Sequence, residues 1–256
     1  MPPSPALVRV DRFDVPGLEH VAEIVLDRPE AMNAVSTEMA RAIAAATERV
    51  AGDDTVRCVV LTSSHDRAFC VGAVLMEQRP VARAAYGGVL ALPMPAIAAV
   101  DGFALGGGFE LALSCDLVVA GEGALVGLPE VSVGVIPGGG GTQLLVRRVG
   151  WSRASRLIFT AARLDAAAAL ELGAVDEVVP AGTARARALE LATTIAAHSP
   201  VGLRNAKRAM RLGADVDLAT GLEVEDACWR ATAFSGDRHE GVAAFAEKRS
   251  PRWPGR

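Results

Sequence analysis

Short, continuously apolar segments alternate with segments of helical period as far as about Ala181, and glycine-rich turns join them. Strands that lack a polar face must be covered on both sides, so this alternation predicts an α/β fold. Beyond Ala181 the strand pattern stops and helical periodicity alone remains, which predicts a helical part after the α/β core. The expected division is a core over residues 1–195 and a helical region over 196–256. With 256 residues and 51% hydrophobic composition, the chain has enough apolar side chains to bury a sizeable core.

Val21-Ala22-Glu23-Ile24-Val25-Leu26-Asp27 alternates and then runs apolar, as a strand does, and stops at Arg28-Pro29, where proline removes a ladder donor. From Ser36 the period changes. Met39, Ala42, Ile43, Ala46 and Val50 recur at helical spacing, Ser36 is placed to cap, and Glu38 falls in the first turn. Cys58–Thr62 and Pro95–Val100 are short strands without a polar face. Glu110–Cys115 reads as a helix, Leu117–Ala120 as a strand, and Pro137–Gly141 as a loop feeding a helix over Thr142–Val149. Ala161–Leu172 is alanine-rich, with high helix propensity. Four further helices are expected over Ala184–Ala197, Val201–Leu212, Leu218–Ala233 and Glu240–Lys248.

Composition excludes several function classes. The net charge is −4 and the basic residues are spread rather than gathered in a stripe, which argues against nucleic acid as a partner. Cys58, Cys70, Cys115 and Cys228 form no CxxC pair, and the four histidines are equally scattered, so neither a metal site nor a disulfide framework is expected. No apolar run is long enough to span a bilayer, and the first residues lack the pattern of a secretory signal, so a cytoplasmic protein is expected.

The chemistry concentrates in Gly106-Gly107-Gly108-Phe109-Glu110, where a glycine triplet delivers a carboxylate into an apolar helix, and in Leu128-Pro129-Glu130, a second carboxylate. Glycines let backbone N–H groups approach a ligand, and the first N–H groups of a helix have no intrahelical partner, so negative oxygen is favoured there. On local sequence alone the triplet fits close packing of a helix against a strand equally well. An N–H cradle beside two acids suggests enolate chemistry. A nucleotide reading fails, because no Lys-Ser/Thr follows Gly138–Gly141 and the triplet lacks GxGxxG spacing.

Four segments in order resemble the crotonase (enoyl-CoA hydratase/isomerase) superfamily: Leu26–Ala34, Arg67–Ala73, Gly102–Ala112, and Leu128–Glu130 followed by Val133–Gly138. The stretch Gly241–Arg249 looks like the C-terminal helix of that family. The resemblance implies a spiral of ββα units with a helical C-terminal trimerisation region, assembled as a homotrimer or homohexamer. It implies that the backbone N–H groups of Ala73 and Gly107 hold a thioester oxygen as negative charge develops on it. Carried over, Glu110 helps to activate water, Glu130 is the principal proton donor to carbon, and Gly138 offers its N–H to the same water. Coenzyme A is implied as part of the acyl thioester substrate, with no separate cofactor. Its nucleotide end would meet Arg28, Ala31, Met32, Arg67, Val71 and Ala73, with Phe245 and Lys248 supplied by a neighbouring subunit.

One region departs from the family. Gly72-Ala73-Val74 stands where many relatives have Gly-Ala-Asp, which removes an acid able to cap the next helix, and the interval to Pro93 is short. Val74, Leu75, Met76, Val81, Tyr86, Val89 and Leu90 are the candidates to line the acyl pocket there, and Arg79-Pro80 is expected to break the segment. The expected activity is reversible syn addition of water to a trans-2-enoyl-CoA. A Δ3,Δ2-enoyl-CoA isomerase is the nearest alternative, and other crotonase-type acyl-CoA reactions or a silent acyl-CoA-binding protein stand further off.

Overall fold

The computed structural model describes residues 6–72 and 79–256, with 79–83 described by their backbone. Ala73, Val74, Leu75 and Met76, and the Val81 side chain, lie outside the described residues. The chain runs β1 (Val8–Arg12), β2 (Val21–Leu26), α1 (Thr37–Ala51), β3 (Cys58–Ser63), β4 (Ala68–Cys70), α2 (Arg79–Leu90), β5 (Ala96–Val100), β6 (Phe103–Leu105), α3 (Gly107–Ser114), β7 (Leu117–Gly121) and β8 (Leu125–Gly127). It continues through α4 (Gly141–Val149), α5 (Trp151–Phe159), β9 (Arg163–Asp165), α6 (Ala166–Leu172), β10 (Glu177–Val179), α7 (Ala184–Ala196), α8 (Pro200–Gly213), α9 (Leu218–Ala233) and α10 (Gly236–Glu247).

A three-part unit repeats: β3–β4–α2, β5–β6–α3, β7–β8–α4. The first strand of each unit joins a six-stranded sheet ordered β1-β2-β3-β5-β7-β10, and the second joins a four-stranded sheet ordered β4-β6-β8-β9. Successive units stack in parallel in both sheets, with antiparallel pairing, among the described residues, only at the β1 and β9 edges. The repeat is therefore a spiral, as the resemblance implied. Parallel strands need crossovers and bury both faces, which accounts for the unbroken apolar runs of β3 and β5.

Beneath one face of the large sheet lies the main core, with Ile24, Leu26, Met39, Ile43, Leu61, Phe69, Phe109 and Leu111 almost wholly buried. On the other face α7 lays Ala184, Ala188, Ala192 and Ala196 against Val60, Ile97 and Val119. The alanine stripe lets the helix sit close to the sheet. Glu23, fully buried in β2, is held by a bidentate pair with Arg185 of α7, at 2.7 Å for each bond.

Several elements differ from the sequence reading. Arg79-Pro80 does not break the chain but begins α2, where proline is tolerated because first-turn N–H groups need no partner. The helix was hidden by Gly87-Gly88, yet a Cβ on Gly88 would lie 2.4 Å from Thr47 Oγ1, so close packing on α1 takes precedence over helix propensity. The alanine-rich segment divides: β9 forms first, and Asp165 then caps α6 by accepting from the Ala168 N–H. The four cysteines are all buried, and burial pushes the Cys58, Cys70 and Cys115 thiols up to about 12.

Candidate active site

β6 delivers the chain to Gly106, whose φ of 53° and ψ of −126° suit a residue without Cβ, and the chain turns there directly into α3. Gly108 presses α3 onto β4, since a Cβ there would lie 1.9 Å from the Cys70 carbonyl oxygen. The Gly107 nitrogen lies 3.7 Å from where a Cβ on Gly72 would be, so the amide at the start of α3 stands beside the residue that precedes Ala73. The triplet thus combines the two readings that local sequence left open. Its glycines permit close helix packing, and they bring an amide to one end of the site.

Glu110 projects from the first turn of α3 and is 3% exposed. Its Oε1 accepts two backbone hydrogen bonds, from the N–H groups of Gly139 and Gly141, each 2.7 Å long. Gly141 opens α4, so the carboxylate caps a second helix while rooted in a first. Two N–H donors and a helix N-terminus all favour negative charge on this acid. The run Gly138–Gly141, read from sequence as a loop, is therefore an anion cradle as well. Gly138 itself is half-buried next to the two donors.

Glu130 has different surroundings. It begins a one-turn 3-10 helix, Glu130–Val133, that Gly134 closes in a left-handed conformation. Its Oε1 would lie 3.1 Å from a Cβ on Gly106, so the carboxyl sits over the turn into α3. Its Oε2 is buried and has no hydrogen-bond partner among the described residues. Burial pushes this carboxyl up to about 7, and the charge of Glu110 acts in the same direction, while the residue's own backbone N–H opposes them. A buried polar atom left unpaired is rare in a native fold and marks a place where a ligand or water completes the set.

A second cluster joins the proposed coenzyme-facing residues. After the 3-10 turn Pro29–Ala31, Met32 and Asn33 both take left-handed backbone conformations, with φ of 47° and 57°. Asn33 holds this bend from within: Oδ1 accepts from the Arg28 N–H at 2.7 Å, and Nδ2 donates to Ser63 Oγ and the Phe69 carbonyl. The Val71 N–H donates to the Met32 carbonyl at 3.2 Å and the Val35 N–H to the Gly72 carbonyl at 2.7 Å. Arg28, Ala31, Met32 and Val71 are thereby gathered on two linked segments. Sequence reasoning missed Asn33, although asparagine after a turn, with its tolerance of the left-handed region, is a usable signal.

The remaining candidates are more scattered. Arg67 is exposed on the turn into β4, and Arg28 donates to the Ala34 carbonyl and lies 3.4 Å from Glu30. Tyr86 and Val89 are buried on α2, whereas Leu90 is exposed at its end. Phe245, 88% exposed, and Lys248 stand at the end of α10, whose main packing partners are α8 and α9.

The chain is similar to known proteins over nearly its whole length. A family model described as enoyl-CoA hydratase/isomerase matches residues 17–256. The Bacillus subtilis protein YngF is 42% identical over 93% of this chain and 95% of its own length. Human mitochondrial methylglutaconyl-CoA hydratase is 40% identical over 90% of this chain and 72% of its own. Among solved structures, the enoyl-CoA hydratase of Bacillus anthracis superposes with a TM-score of 0.92 at 38% identity, covering 98% of this chain and all of that one. The chain belongs to the enoyl-CoA hydratase/isomerase family, within the crotonase superfamily, and has its fold.

Proposed function

We propose that the protein is an enoyl-CoA hydratase that adds water reversibly and syn to a trans-2-enoyl-CoA, giving a 3-hydroxyacyl-CoA. The observation that carries this reading is the contrast between its two acids: Glu110 is cradled by two amide donors, and Glu130 is desolvated, with one oxygen unpartnered among the described residues. Water addition needs one acid charged and one protonated at the same pH, and unlike environments supply that difference. Glu110 takes a proton from water as the water oxygen bonds to the β-carbon. The electron pair of the double bond moves toward the thioester oxygen, to which the N–H groups of Ala73 and Gly107 donate hydrogen bonds, and each such donor is typically worth roughly 3–4 kcal/mol. Glu130 then delivers its proton to the α-carbon, and the proton on Glu110 returns to Glu130 to reset the pair.

In this reading coenzyme A enters as part of the substrate, with its nucleotide end along Arg28–Met32, Arg67 and Val71, and the molecule works as a homotrimer or homohexamer. The apolar groove between α8 and α9, lined by Ala206, Met210, Leu222 and Trp229, supports assembly through the helical region. The test is the ultraviolet absorbance of the conjugated thioester of crotonyl-CoA. Its decay on mixing with enzyme, abolished in Glu110→Gln, is the expected result. Full activity of Glu110→Gln would instead favour the isomerase, which shuttles a proton without activating water. Sedimentation velocity at micromolar protein tests the assembly, with a monomer counting against it.

A further inference from the structure

The wall beside Glu110 is made by a side chain that only a glycine admits. A Cβ on Gly139 would lie 2.6 Å from Tyr86 Cδ2, 2.7 Å from Tyr86 Cε2 and 2.8 Å from Glu110 Oε2. The ring edge of Tyr86 therefore rests against the backbone of Gly139, and Glu110 Oε2 flanks the same point. On the other side, a Cβ on Gly141 would lie 2.9 Å from Leu128 Cδ1, 3.0 Å from Pro137 Cβ and 3.0 Å from Glu110 Oε1. The carboxylate is thus boxed by Tyr86, Leu128 and Pro137, all firmly packed: Tyr86 is 4% exposed and Leu128 and Pro137 are buried.

We infer that Tyr86, seated on Gly139, is the residue that limits acyl length in this protein, restricting it to short-chain enoyl thioesters. The inference rests on the hydratase reading for the position of the reacting carbon. Glu110 must meet the water that attacks the β-carbon, so the substituent on that carbon leaves the site next to the ring. A longer substituent there brings more atoms against the edge of a buried aromatic packed on backbone. Burial and the neighbouring acids hold the Tyr86 phenol well above its ordinary range, so it stays protonated and adds no charge to the wall.

The test compares wild type with Tyr86→Leu, Tyr86→Phe and Tyr86→Trp in two measurements. One is kcat/KM for hydration of four-carbon and ten-carbon trans-2-enoyl-CoA. The other is calorimetric Kd for the saturated four-carbon and ten-carbon thioesters, which bind without reacting. Wild type is expected to favour four carbons in both. Tyr86→Leu should shift the ratio toward ten carbons by about tenfold or more, the scale that pocket volume commands. Tyr86→Phe should keep the wild-type ratio because the ring forms the wall. If Tyr86→Leu fails to fold, as judged by circular dichroism, Tyr86→Trp decides: it keeps an aromatic ring and should move the ratio the other way. A wild type that favours ten carbons, or ratios unmoved within about twofold by a folded Leu or Trp variant, overturns the inference. Absence of hydration of every enoyl thioester by wild type defeats the hydratase reading instead, and the Kd ratios still judge Tyr86.

Discussion

Glu110 and Glu130 are the same side chain in two environments, and the contrast between them sets out the chemistry of the site. Glu110 is nearly inaccessible, yet it is solvated by protein, with two amide N–H groups and a helix end directed at one oxygen. Glu130 has an oxygen that is buried without such replacement among the described residues, and burial pushes its carboxyl up to about 7. Burial by itself therefore does not decide the charge of an acid. What decides it is whether the fold replaces the lost water with dipoles.

The largest expected effect comes from removing either acid. Glu110→Gln and Glu130→Gln should each lower kcat for hydration by roughly 10²–10⁴-fold, the usual scale for a general acid or base. Calorimetric Kd for a saturated acyl-CoA should change little in either. A large loss of binding would mean that the carboxylates hold the thioester rather than act on it.

A subtler way to break the comparison leaves both acids in place. Gly141→Ala puts a methyl 3.0 Å from Glu110 Oε1, 3.0 Å from Pro137 Cβ and 2.9 Å from Leu128 Cδ1, so the carboxylate and its neighbours must give way by a few tenths of an ångström. Misplacing a catalytic group by about 1 Å can cost on the order of 10²-fold in rate, so this smaller displacement should lower turnover by up to about tenfold. Stopped-flow turnover beside an unchanged circular dichroism spectrum is the measurement, and undiminished turnover would show that the cradle is incidental.

The pH dependence sharpens the contrast next. In the proposed reaction Glu130 must hold its proton to deliver it, so kcat for hydration should fall as pH rises through about 7. The descending limb should be absent from the residual activity of Glu130→Gln.

Stability supplies the smallest effect, and the two acids should give it opposite signs. Glu130 has a native-state value near 7 against 4.5 for an ordinary glutamate, so its contribution is most favourable below pH 4.5 and is lost as pH rises through about 7. Glu130→Gln should accordingly gain thermal stability relative to wild type between those values and keep that gain above pH 7. Glu110→Gln removes a charge-assisted acceptor from two buried N–H groups and should lose about 1–3 kcal/mol at neutral pH. Urea unfolding of both variants at pH 5 and pH 8 checks the signs, and two variants moving together would dissolve the distinction.

Much of this site could be read along the chain, for a physical reason. Gly106–Glu110 and Leu128–Glu130 are local motifs in which backbone turn, helix start and side chain belong to one short segment, so sequence order carries them directly. The strands of the large sheet were legible because parallel, doubly covered strands leave long apolar runs. The three-residue strands β4, β6 and β8 were not, because so short a run has no measurable period. α2 was missed because Gly87-Gly88 interrupts its helix propensity, and Gly88 is there for packing against Thr47 of α1. Asn33 was missed because its partners, Ser63 and Phe69, are some thirty or more positions away.

By itself the sequence determined the α/β core, the helical end, the family and the two acids, since all of these reside in local composition and spacing. Only the tertiary structure decided how those acids differ. The amides that hold Glu110 lie 29 and 31 positions further along the chain, and the buried Glu130 carboxyl sits over Gly106, on a segment remote from it in sequence. It was also tertiary structure that set Tyr86 against Gly139, because contact between a helix and a loop is fixed by packing that no single segment contains.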